Sequence, residues 1–117
     1  MRPLRRESGK MNKTEARYAE HLELLKSNGQ IINWQFEPFG LRLSTEKCFY
    51  HPDFFVTYND VFEVHEVKAF NRKAKAPLVK DDSLVKIKVA STVFQYWVFK
   101  IVWFDVDKGL WDARTLK

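Results

Sequence analysis

The chain holds a single cysteine, Cys48, among 117 residues. One thiol can neither close an internal disulfide nor build a thiol-rich zinc site, so a reducing, cytoplasmic setting is expected. Long apolar runs are missing as well. No segment approaches the roughly 20 residues needed to span a bilayer, and the N-terminus lacks the apolar core of a signal peptide, so no membrane partner is expected. Acidic residues are outnumbered: 15 Asp and Glu against 20 Lys and Arg leave a net charge of +5 and a pI of about 9.4. That excess suits an anionic partner, of which nucleic acid has the strongest claim. With 45% hydrophobic and 30% charged residues, the rest of the composition is that of one ordinary domain with one core.

The most informative stretch runs from His51 to Lys68, HPDFFVTYNDVFEVHEVK. Two short runs rich in Phe, Val and Tyr alternate with period two around Asn59-Asp60, which predicts a β-hairpin with a two-residue turn. The turn length fixes the register. Tyr58 pairs with Val61, Thr57 with Phe62, Phe55 with Val64 and, further out, Asp53 with Glu66. Opposed side chains on an antiparallel pair lie about 4.5–5.5 Å apart at Cβ, where like charges are destabilising, so something positive is expected between these carboxylates. Lys68 lies two residues beyond Glu66 and therefore on the same face.

Elements around the hairpin follow from local pattern. Residues 1–11 are basic without apolar period and predict a flexible arm; its Arg2, Arg5, Arg6 and Lys10 either touch phosphates or are simply solvated. Residues 12–117 form the single domain. Asn12 to about Ser27 predicts a helix with a stripe of Ala16, Tyr18, Ala19, Leu22 and Leu25, ended by Asn28-Gly29. Glu15 extends that stripe toward the covered side, yet it also stands where a capping box with Asn12 needs it. Residues 30–49 predict one or two strands broken near Pro38 and Gly40, with a polar loop at 44–47 and with Glu37 either approaching the same cleft as Asp53 and Glu66 or, the favoured reading, serving as an edge or turn carboxylate. AFNRKAKAPLVKDDS after Lys68 predicts a loop whose Arg72, Lys73, Lys75 and Lys80 either clamp a phosphate backbone or are solvated. In LVKIKVASTVF the spacing fits strand and helix alike, and Asp81-Asp82-Ser83 offers a helix N-cap. A buried strand, a turn at Asp107-Lys108-Gly109 and a final strand complete the chain. Trp97, Phe99, Trp103, Phe104 and Trp111 suit a core or an interface better than base stacking.

Asp53 and Glu66 offer hard oxygen ligands of the kind Mg²⁺ or Mn²⁺ uses, and zinc is disfavoured. Such an ion polarises a phosphodiester, while Lys68 can orient or activate water. Pro52 fixes the backbone just before Asp53.

Pro52-Asp53 followed by Glu66-Val67-Lys68 resembles the signature of the PD-(D/E)xK nuclease superfamily. NKTEARYAEHLE, HPDFFV, HEVKAF and VKIKVA carry the likeness to its small phage-type endonucleases and Holliday-junction resolvases, over most of residues 12–106. The resemblance implies an α/β (α+β) fold with a restriction-endonuclease-like core, a mixed β-sheet flanked by helices, and it implies a helix over LVKIKVASTVF. On such a helix Lys86 and Lys88 point in different directions, so at most one faces the cleft, and Lys86 is taken as the further DNA contact. It also implies a magnesium- or manganese-dependent endodeoxyribonuclease in which Asp53, Glu66 and the backbone carbonyl of Val67 bind metal. Lys68 then assists the attacking water and Glu15 completes the site. Branched DNA is the implied substrate and a homodimer the implied assembly, in the cytoplasm of a bacterial host for a phage-encoded member. The alternative is a noncatalytic nucleic-acid-binding module.

Overall fold

The computed structural model describes residues 10–44 and 48–116. Arg2, Arg5 and Arg6 of the expected arm lie outside the described residues, as does most of the loop at 44–47. At the N-terminal side, Met11 packs on the hydrophobic core.

The first helix, α1, spans Lys13–Ser27. Its start is fixed by a reciprocal cap: Asn12 Oδ1 accepts from the Glu15 amide at 2.8 Å, and Glu15 Oε1 accepts from the Asn12 amide at 3.0 Å. Two amide donors that a helix start leaves without partners are thereby satisfied. Asn28 then caps the C-terminal end, and Gly29 takes the left-handed backbone (φ +78°) that glycine adopts without steric cost. Glu15, Tyr18, Ala19 and Leu22 form the buried face. Ala16, expected in the stripe, is exposed; at 100° per residue it points away from the Tyr18–Leu22 direction.

Strands β1 (Asn33–Phe36), β2 (Leu41–Arg42), β3 (Phe49–Tyr50), β4 (Phe54–Thr57) and β5 (Phe62–Val67) follow. The central hairpin has the expected register, with Thr57 opposite Phe62, Phe55 opposite Val64 and Phe54 opposite His65. The Tyr58 amide donates to the Val61 carbonyl at 2.9 Å, which closes the two-residue turn at Asn59-Asp60.

After Lys68 the expected loop is instead a miniature hairpin of β6 (Phe70–Asn71) and β7 (Ala76–Pro77). Asn71 Oδ1 organises its tip by accepting from the Lys73 and Ala74 amides. Two-residue strands carry no readable alternation, and Asn71 does locally what an Asx-turn does. Helix α2 (Asp81–Val93) comes next. The helix is as expected but its cap is not: Lys80 occupies the N-cap position and makes no side-chain cap bond. The chain ends in β8 (Val98–Asp105) and β9 (Leu110–Leu116) around a turn, where Asp105 Oδ1 accepts from the Asp107 and Lys108 amides.

Five strands form one mixed sheet in the order β1-β4-β5-β8-β9. Only β5 and β8 run parallel, and α2 lies on the crossover between them. Alternation along β4 divides the core. Phe54 and Val56 meet Tyr18, Ala19 and Leu22 of α1, whereas Phe55 meets the cluster that contains Ile87 and Ala90 of α2. The fold is thus α+β, with a mixed sheet covered by one helix on each face. No helix among the described residues is long and apolar enough to cross a membrane.

Candidate active site at the end of the central hairpin

The chain enters β4 under unusual constraint. Gly40 leaves room for the His51 ring, which a Cβ at that position would meet at 2.7 Å, and Pro52 is fully buried. The Glu37 amide donates to the Asp53 carbonyl at 2.8 Å from a left-handed backbone (φ +46°). For a residue other than glycine that conformation costs about 1 kcal/mol. Asp53 is therefore held by its backbone before its carboxylate makes any contact.

One step beyond the Phe54–His65 pair, Asp53 faces the end of β5. Its Oδ2 accepts from the Val67 amide at 2.9 Å. Glu66 Oε1 accepts from the Tyr50 hydroxyl at 2.7 Å, and Glu66 Oε2 lies 3.3 Å from Lys68 Nζ. The expected cation is thus present, paired with Glu66. Lys68 also continues the sheet, its amide donating to the Val102 carbonyl at 2.9 Å.

Burial first, and the neighbouring Glu66 charge second, push the Asp53 carboxyl well above the usual carboxylate range. The Val67 amide and Lys68 pull the other way without cancelling the rise, and Glu15 adds to it. Glu15 therefore does both things the sequence left open: it closes the capping box of α1, and its buried charge acts on Asp53. Burial and Glu66 likewise push the Tyr50 hydroxyl far up, so it remains a proton donor.

The expected basic residues follow this strand end in sequence. Arg72, Lys73 and Lys75 lie in the β6–β7 turn, Lys80 caps α2 and Lys86 lies within it; all five are exposed. The base of that hairpin is bonded one residue beyond Lys68, where the Leu78 amide donates to the Ala69 carbonyl. Lys88 is exposed too.

Tyr50 was not legible as a site residue, because its partner lies 16 positions away and the short β3 that presents it has no periodic pattern. A second polar group also escaped notice. Glu63 and His65 alternate on the α1 face of β5 and are buried. Polar residues at i and i+2 on a strand face that an apolar helix stripe must cover are a signal that was available.

Among the described residues, no three His, Cys, Asp or Glu side chains form a ready-made metal cage. A hard divalent ion does not require one, since Mg²⁺ binds through one or two carboxylates and keeps waters. The donor set fits that mode. Asp53 and Glu66 offer carboxylate oxygens with lone pairs beyond the Val67 amide, the Tyr50 hydroxyl and the Lys68 ammonium they already meet, and added positive charge would offset the rise at the Asp53 carboxyl. Comparison with protein-family models, with curated proteins and with solved structures finds no match to this chain.

Proposed function

We propose that the chain is a metal-dependent DNA endonuclease with a restriction-endonuclease-like core, related to the PD-(D/E)xK nucleases. One observation carries this reading. A half-buried carboxylate, Asp53, stands opposite Glu66 at the end of the hairpin with Lys68 the adjoining cation, and the charge of the buried Glu15 adds to the repulsion it feels. A structural role alone gives no reason to retain such repulsion, since apolar replacements are usually at least as stable.

Asp53, Glu66 and the carbonyl of Val67 are the residues to hold Mg²⁺ or Mn²⁺, with Glu15 completing the acidic cluster. When bound, the ion supplies Lewis-acid polarisation of a phosphoryl oxygen. Lys68 orients the water that attacks, and Tyr50 fixes the Glu66 carboxylate. Arg72, Lys73, Lys75, Lys80 and Lys86 contribute phosphate contacts, with Arg5 and Arg6 of the arm as further candidates. Branched DNA is the favoured substrate and a homodimer the favoured assembly. A noncatalytic nucleic-acid-binding module is the second reading, supported by the same exposed basic residues.

Labelled four-way-junction, duplex and single-stranded DNA, each incubated with Mg²⁺, Mn²⁺ or EDTA, separate the two. Cutting that needs metal and favours the junction is the expected result. Binding without cutting of any substrate supports the second reading and removes the first. Within the first, Tyr50→Phe is expected to raise the metal concentration for half-maximal cutting by roughly tenfold, as loss of an outer-shell partner does. Its stability should change by only about 1 kcal/mol, the net worth of one hydrogen bond. Metal titrations of the variant, read by cleavage and by thermal melting, test this.

A further inference from the structure

Back to back with Glu66, on the α1 face of β5, lies a polar chain that the proposed reaction leaves unused. A carboxylate can only accept, so His65 Nε2 donates to Glu63 Oε1 at 2.8 Å, and His65 Nδ1 in turn accepts from the Tyr18 hydroxyl at 2.6 Å. Lys100 Nζ lies 3.1 Å from the same Glu63 oxygen. Tyr18, Glu63 and His65 are all buried. Every buried side-chain polar atom among the described residues has a partner.

Beside this chain opens a cavity of about 290 Å³ with Tyr18, His21, Tyr58 and Trp111 among its walls and Lys100 and Asp112 at its polar edges. Asp53, Glu66 and Lys68 do not line it. Its volume lies at the small end for ligand sites, enough for one ring system rather than a chain. Its charges are matched: Lys100 by Glu63, and Asp112 by Lys108 at 3.6 Å. Burial, and then the neighbouring His65, hold His21 below the ordinary histidine range and so uncharged at neutral pH. A charged guest therefore meets no net opposite charge, while an aliphatic guest leaves the amine and carboxylate edges unused. Four aromatic walls instead favour a flat, polarisable guest with its own donors and acceptors.

We infer that this cavity binds a single neutral nitrogen heterocycle of the nucleobase type, stacked on the Trp111 and His21 rings with its polar edge toward Lys100 and Asp112. The site is separate from the metal-binding end of the hairpin and does not depend on cleavage.

The full chain, kept in EDTA, is titrated with adenosine, guanosine, cytidine and thymidine, and with ribose and ribose 5-phosphate as controls. Heat of binding and the indole N–H resonances in an NMR spectrum are followed. Saturable binding of at least one nucleoside at up to millimolar concentration, with neither sugar bound, is the expected result. His21→Ala and Trp111→Leu should each weaken it about tenfold or more, the range of one lost base–aromatic stack, with circular dichroism showing that both remain folded. His21 is only partly buried, so its variant keeps the test decisive if Trp111→Leu does not fold. No saturable binding of any nucleoside overturns the inference. So does ribose 5-phosphate binding as tightly as a nucleoside, or undiminished affinity in the His21 variant.

Discussion

Asp53→Asn is expected to melt at a higher temperature than the wild-type chain in metal-free, mildly alkaline buffer, and to lose the proposed metal-dependent cleavage by about a hundredfold or more. The first half follows from linkage. The folded state raises the Asp53 pKa from its ordinary 3.8 to about 8, so the folded chain holds this proton more tightly than the unfolded chain. The stabilising contribution is complete below the unfolded pKa and is lost as pH rises through the folded one. Asparagine keeps an acceptor for the Val67 amide but never ionises, so it escapes that loss. The difference should therefore grow from nearly nothing in acid to a few kcal/mol near and above pH ~8, at about 1.4 kcal/mol per pK unit as an upper bound. Added Mg²⁺ or Mn²⁺ should reverse the order, raising the wild-type melting temperature progressively with pH and leaving the variant unmoved. Melting curves across pH, with metal or EDTA, test both halves. A variant that melts no higher than wild type in alkaline EDTA removes the claim that Asp53 is kept against stability for the sake of function.

Phe54→Ala, one residue along, is expected to cost about 3–5 kcal/mol. Phe54 has no solvent exposure and lies among Tyr18, Trp34 and Phe36, with ring centroids 5.2–5.8 Å away. Truncation opens a cavity where α1 meets the sheet. Against a total stability of typically 5–15 kcal/mol, that loss leaves many chains of this size close to unfolding. Phe62, across the same hairpin, is 45% exposed and Phe62→Ala should cost no more than about 1 kcal/mol. Urea denaturation of the two variants distinguishes them, and equal losses would mean that β4 is not the element on which α1 is seated.

The reasons for that contrast were partly written in the sequence. A two-residue turn at Asn59-Asp60 sets every pair of the hairpin, because strand geometry leaves no other freedom; hence the agreement from Thr57–Phe62 to Phe54–His65. The cap of α1 was equally legible, since Asn12 and Glu15 act within one turn. Legibility failed where partners are distant or elements short. Tyr50 gains its meaning only from Glu66 across the fold, and two-residue β6 and β7 have no period to read. Asp81-Asp82-Ser83 has the composition of a cap, yet the helix begins one residue early, so that Lys80 takes the position. Glu15 was ambiguous for another reason: it is a cap and a neighbour of Asp53 together, and no spacing rule separates two roles that one side chain fills.

His65 and Glu66 are consecutive in β5, and their side chains leave the strand on opposite faces. The hairpin tip can therefore vary in residue type, but its length is locked. One inserted or deleted residue at Asn59-Asp60 would carry Glu66 into the space under α1 and His65 out toward Asp53, exchanging a hydrogen-bond relay for a charge cluster on both sides at once. Drift in this protein should accordingly accumulate as substitutions in the turn and as insertions elsewhere, with the spacing from Asp53 to Glu66 kept unchanged.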